Sequence, residues 1–149
     1  MSFEFLDIRF KKGSSIVVPS ILLPYADKGF GRMVKLILDT GATSTHISKA
    51  VLHQMGYSDT MFTRDDKESF AVIGKYFATL CKVQRLDFCG LNFRNHIVKV
   101  WNPPPKHHAD GIIGMNILRY FNVSINTDTQ KVTIERSQAT GAIIRKSKL

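Results

Sequence analysis

The residues best suited to chemistry lie in one run, Ile37-Leu38-Asp39-Thr40-Gly41-Ala42-Thr43-Ser44-Thr45. The two aliphatic residues read as the end of a buried strand, so Asp39 falls where the chain leaves the core and turns. A carboxylate there is costly unless hydrogen bonds or a partner hold it, and the Thr40 hydroxyl and the open backbone of Gly41 can supply that. A carboxylate so placed can serve as a general base towards water. The same residues also fit an ordinary strand-to-turn junction, where Asp, Thr and Gly are common. The run by itself leaves both readings open.

The elements that would position it can be read from the pattern. Residues 3–10 and 15–23 are β candidates, and Pro19, which cannot donate to a ladder, marks an edge or a bulge. Residues 24–31 form a turn-rich loop, and residues 32–38 form the strand that delivers Asp39, pairing with 15–23 as a hairpin. Ser48 is a good N-cap for a helix over residues 49–55, with Ile47 and Leu52 as a hydrophobic staple and Gly56 as its end. Residues 57–68 are polar and read as a loop. Residues 69–80 have β composition on both sides of Gly74, which predicts a hairpin tipped by Ile73-Gly74-Lys75. Such a hairpin is either only a hairpin or a flap over a ligand. A strand over 81–88 then turns at Cys89-Gly90 and pairs with 93–100. Trp101 to His108, with three prolines, is a stiff connector. Asp110-Gly111-Ile112-Ile113-Gly114-Met115-Asn116-Ile117-Leu118 reads as a short buried strand, a glycine and a helical turn. Residues 123–134 close the chain as a hairpin. The regular spacing of short strands predicts an all-β fold, barrel-like or sandwich-like.

Composition narrows the function classes. A chain of 149 residues, 44% hydrophobic and 22% charged, predicts one globular domain. No stretch approaches the roughly 18 apolar residues of a membrane span. The first residues carry acids within their apolar run and no basic lead, which is unlike a secretory signal and predicts a cytoplasmic protein. Cys81 and Cys89, the only cysteines, fit reduced thiols better than a disulfide or a metal knuckle. His46 and His53 read as packing or surface residues. The His107-His108-Ala109-Asp110 cluster lacks a partner cluster for a metal. The net charge of +9 is spread from Arg9 to Lys148 and interrupted by acids, as in Arg64-Asp65-Asp66-Lys67-Glu68. That is a solvated surface rather than a nucleic-acid footprint.

Two separated motifs carry the sharper reading: apolar-apolar-Asp-Thr-Gly-Ala at 37–42 and apolar-apolar-Gly-x-Asn-apolar-Leu at 112–118, with the glycine-tipped hairpin between. In this order over about residues 15–134, the chain resembles the single-lobed, retropepsin-like aspartic proteases, and among them the cellular or bacterial members. The resemblance implies a closed, barrel-like all-β lobe with a flap hairpin and one or two short helices. It implies a protease domain over 1–136 and a basic tail over 137–149. It gives Asp39 as the catalytic carboxylate, Thr40 as a tie between two such loops across a dimer, and Gly41 as the close-approach position. Ala42, Ile73, Gly74 and Lys75 would contact substrate. Ile112, Ile113 and Gly114 would pack under the catalytic loop, and Asn116 would brace it. No metal and no cofactor are implied. The partners implied are a second copy of the chain and a peptide substrate, without nucleic acid or membrane.

One Asp-Thr-Gly per chain has a consequence. Amide hydrolysis by water needs a base and an acid, and two adjacent carboxylates sharing a proton can be both. A homodimer with two Asp39 side chains on its axis is therefore expected. Thr43 and Met115 stand where retroviral members carry an acid and an arginine that pair, so that ion pair is absent. The competing reading is a catalytically silent dimerisation or peptide-binding module. A small basic nucleic-acid-binding barrel would rest on charge alone. The terminal Ser147-Lys148-Leu149 would be a peroxisomal address in a eukaryote and nothing in a bacterium.

Overall fold

A computed structural model of the chain describes residues 5–27, 29–71 and 74–137. Ile73, at the expected hairpin tip, and the tail with its Ser147-Lys148-Leu149 terminus lie outside the described residues.

Ten strands alternate with two short α-helices. In chain order they are β1 (Phe5–Arg9), β2 (Val17–Leu22), β3 (Arg32–Leu38), β4 (His46–Ser48), α1 (Lys49–Gln54), β5 (Phe62–Ala71) and β6 (Gly74–Phe88). There follow β7 (Leu91–Trp101), β8 (Gly111–Ile113), α2 (Met115–Leu118), β9 (Phe121–Asn126) and β10 (Lys131–Arg136). Along β3, Val34 and Leu36 are fully buried while Met33 and Lys35, which alternate with them, are exposed, the pattern of a strand with one core face. α1 starts where its cap predicts, with the Ser48 hydroxyl accepting from Val51 N–H at 3.1 Å. A cap of this kind contributes about 1 kcal/mol. Gly56 follows the helix at φ +88°, a conformation only glycine adopts cheaply.

The expectation of an all-β, closed barrel-like lobe is corrected. Two α-helices make the fold mixed, and the strands divide between two sheets: β1-β10-β9, and a seven-stranded sheet in the order β2-β3-β8-β4-β7-β6-β5. The larger sheet is not closed into a barrel. Closure needs the outermost strands to pair along their length. Here β5 is an edge, and the ladder between β2 and β6 is limited to two pairs, Ile21 with Asp87 and Leu22 with Leu86. The sheet is also of mixed direction, because β8 lies parallel to β3 and β4 lies parallel to β7. β8 runs between β3 and β4, which follow each other in sequence yet do not pair. Pro19 sits on the outermost strand β2, where its missing N–H leaves no gap in a central ladder.

The polar stretch 57–68 is not a loop throughout. Asp59–Met61 form a 3-10 turn, and β5 begins at Phe62, opposite Cys81 of β6. Arg64 to Glu68 belong to an edge strand, where charged side chains guard unpaired backbone and no apolar face is required. The register shifts between Arg64 and Glu68, a bulge that fits the run of charges. The second arm of the expected hairpin and the strand after it are one continuous strand, β6, so the hairpin pairs 62–71 with 74–81 and is longer than the expected 69–80. Among the described residues, no helix is long and apolar enough to cross a membrane.

Candidate active site

Asp39 leaves the end of β3, and its main-chain N–H donates to the Ile113 carbonyl of β8 at 3.1 Å. One carboxylate oxygen, Oδ1, accepts the Gly41 N–H at 2.9 Å, and the Asp39 carbonyl accepts the Ala42 N–H at 3.2 Å. The side chain is therefore fixed by its own turn while remaining half-exposed. A Cβ on Gly41 would stand 3.3 Å from Asp39 Oδ1, so glycine permits the close approach. Thr40 is exposed at the tip of this turn.

The second motif lies against the first. Met115 N–H donates to the Ala42 carbonyl at 2.7 Å, and Asn116 N–H to the Thr43 carbonyl at 3.1 Å. These main-chain bonds join the two loops without using the side chains of Thr43 and Met115. Ile113 is fully buried beneath the turn, and Gly114 is packed where Ser44 and Ala42 backbone would meet any side chain. The Asn116 Oδ1 accepts from the Thr45 hydroxyl at 2.8 Å, and Thr45 Oγ1 accepts the Gly114 N–H at 3.2 Å. Thr45 is fully buried, so loss of its hydroxyl would leave two polar groups without their partner. It was not singled out from the sequence, because a hydroxyl among Thr43, Ser44 and Thr45 carries no local mark of burial.

The network extends to His96 of β7, whose Nε2 lies 3.2 Å from Asn116 Nδ2. The amide nitrogen can only donate, so His96 accepts here with its proton on Nδ1. Burial holds the His96 pKa below the ordinary histidine value of about 6.5. The unfolded chain therefore binds a proton at higher pH than the folded one, and stability is lost as pH falls from about 6.5. His46, also lowered by burial, contributes with the same sign. Urea midpoints measured between pH 7 and pH 5 should fall more steeply for wild type than for His96→Gln, whose amide keeps an acceptor without titrating. Parallel curves would remove His96 from the account.

Other expected site residues stand elsewhere. Gly74 pairs with Ala71 at the start of β6 with φ +132°, and Lys75 lies 3.7 Å from Glu68 across the hairpin. Both belong to the hairpin rather than to the catalytic turn. Asp110, considered as a metal ligand, instead accepts Lys35 N–H at 2.9 Å and faces Arg32 at 3.7 Å. Its backbone bonds Lys35 and Ser48 in turn, which fixes the entry into β8. His107 Nδ1 accepts from Ala109 N–H at 3.2 Å. Among the described residues, no three His, Cys, Asp or Glu side chains gather to hold a metal.

The signature of a family described as "gag-polyprotein putative aspartyl protease" matches residues 30–120. No curated protein matches the chain. Among solved structures, it is similar to a retropepsin-like aspartic protease from Rickettsia conorii. The TM-score there is 0.64 at 15% identity, covering 87% of this chain and 89% of that one. It is also similar to the EIAV protease complexed with the inhibitor HBY-793 (TM-score 0.50, 16% identity, 75% and 92% covered). A third is the retroviral protease-like domain of Ddi1 from Leishmania major (0.50, 16%, 85% and 96%). At these identities the likeness is one of fold.

Proposed function

The chain belongs to the gag-polyprotein aspartyl protease family of retropepsin-like proteins, and from that premise we propose that it is an aspartic endopeptidase active as a homodimer. The observation that carries the reading is the held, half-exposed carboxylate of Asp39, supplied once per chain. With Oδ1 engaged by Gly41, the second oxygen is left to face the reacting groups. Two copies on a two-fold axis would bring two such oxygens together, and repulsion would keep one carboxyl protonated, the known behaviour of aspartic dyads.

The ionised Asp39 then takes a proton from a water held between the pair, while the protonated one gives its proton to the scissile carbonyl oxygen. The water oxygen bonds to the carbonyl carbon, giving a tetrahedral diol. As the C–N bond breaks, a carboxyl returns a proton to the leaving amine, and the diol collapses to the new carboxyl group. Thr40, exposed beside the dyad, would tie one loop to the other. The β5–β6 hairpin would close over the peptide, whose backbone adds to it as an extended strand. Thr43 and Met115 favour a cellular or bacterial type of member over a retroviral one, since the dimer must form without their ion pair.

Dilution tests this reading. With a pooled peptide library between pH 3 and pH 7, specific activity should fall on dilution over the range in which sedimentation shows dimers dissociating. Constant specific activity from a monomer would contradict a shared site. A stable dimer inert towards every peptide would favour the silent binding module.

A further inference from the structure

The sheet carries a row of side chains that the catalytic reading does not use. Leu80 on β6 lies opposite Lys99 on β7, Lys99 opposite His46 on β4, and His46 opposite Ile112 on β8. Neighbours on either side, among them Cys81, Val98, Thr45, Ile47 and Ile113, are buried in the core. Alternation therefore puts the row on the opposite face, where all four members are half-buried. The flap arm reaches this face. Lys99 Nζ lies 3.0 Å from Ser69 Oγ and 5.9 Å from the Tyr76 ring centroid, and Ser69 and Tyr76 are a facing pair of the hairpin. Asp39 lies at the same end, close enough for its charge to act on His46.

Lys99 is unusual in this setting. The residue is half-buried, yet among the described residues no carboxylate pairs with its ammonium. The charged neighbour across the sheet is His46, whose pKa is lowered by burial and by Lys99 itself, while the hairpin acid Glu68 alternates to the other face of β5 and pairs there with Lys75. A hydroxyl and an aromatic face satisfy only part of a group with three donors. A desolvated cation short of a counter-ion is stabilised by any anion placed beside it.

We propose that Lys99, set between the flap arm and the strand that follows the catalytic turn, forms a subsite that selects an acidic side chain, Asp or Glu, of the bound peptide. This rests on the protease reading for its substrate. Ser69 and Tyr76 hold the ammonium near the tip of the flap, and His46 adds to the polar wall.

The test uses two pooled peptide libraries that differ at one position, Glu in one and Gln in the other, scanned across the positions flanking the cleavage point. At pH 6, wild type should cleave the Glu form with a kcat/KM about tenfold higher at one position, the low end for a bond to a charged group. In Lys99→Met that ratio should collapse to about one, and in Lys99→Glu a Lys-bearing library should replace the Glu one as the preferred substrate. A merely structural lysine would lower all rates together and reverse no preference. Cleavage without a Glu preference, or a preference surviving Lys99→Met, overturns the subsite and leaves the protease reading standing. If nothing is cleaved, anisotropy of the same libraries with a fluorescent label decides. Lys99-dependent tighter binding of the Glu form keeps the subsite and removes the protease. Equal binding, or none, overturns both.

Discussion

Asp39→Asn is expected to abolish peptide hydrolysis, a loss of at least about a thousandfold, since both the base and the acid of the reaction are this one side chain. The substitution is nearly isosteric, and an amide oxygen can still accept the Gly41 N–H that Oδ1 accepts at 2.9 Å. Urea midpoint and sedimentation behaviour should therefore match wild type, which separates a chemical loss from a structural one. Mixing adds a second readout. If dimers exchange partners freely, each mixed dimer holds one carboxylate and cannot run the dyad. Activity should then fall as the square of the wild-type fraction. Hydrolysis that survives in pure Asp39→Asn would end the assignment, and a linear fall on mixing would mean each chain works alone.

Gly114→Ala should be severely damaging for a single methyl group. An added Cβ would overlap the Ser44 carbonyl oxygen outright and stand 2.7 Å from Ser44 C and 2.8 Å from Ala42 O. All three are backbone atoms, so no rotamer relieves the clash. The φ of −109° is open to alanine, so the objection is packing and not conformation. Either β8 or the catalytic turn must shift, and the Met115 bond to Ala42 goes with it. Destabilisation of about 3 kcal/mol, at the upper end for overpacking, is expected from urea unfolding, together with loss of activity. A variant with wild-type midpoint and rate would show that the two loops are not tightly seated.

The site's chemistry was legible where a residue type is itself unusual in its place. Asp39 after two aliphatic residues, and glycines at 111 and 114 around two isoleucines, stand out in one dimension. Ser48 before an apolar 3.6-residue pattern did the same for α1. Lateral order was not legible. Strand composition predicts most of the strands, but not the short β4, nor that 74–88 is one strand, nor that β8 divides β3 from β4 or that the larger sheet stays open. The charged part of the edge strand, 62–68, failed for a related reason, since an edge needs no buried face and its residues look like a loop. Thr45, His96 and Lys99 act through partners distant in sequence, and nothing adjacent to them announces it.

The placing of β8 also sets when the site can exist. Asp39 is made well before the Ile113 carbonyl that accepts its N–H and before the N–H donors at Gly114, Met115 and Asn116. Between them lies the whole β5–β6–β7 meander, a long loop that must close before the late strand can slot between two earlier ones. A nascent chain exposing residues 1–100 thus carries the acid without the scaffold that holds it. On the protease reading, a growing chain carries the acid of the site before the strand that holds it, and the reactive site is complete only once residues 111–118 have been made and a second copy has been met.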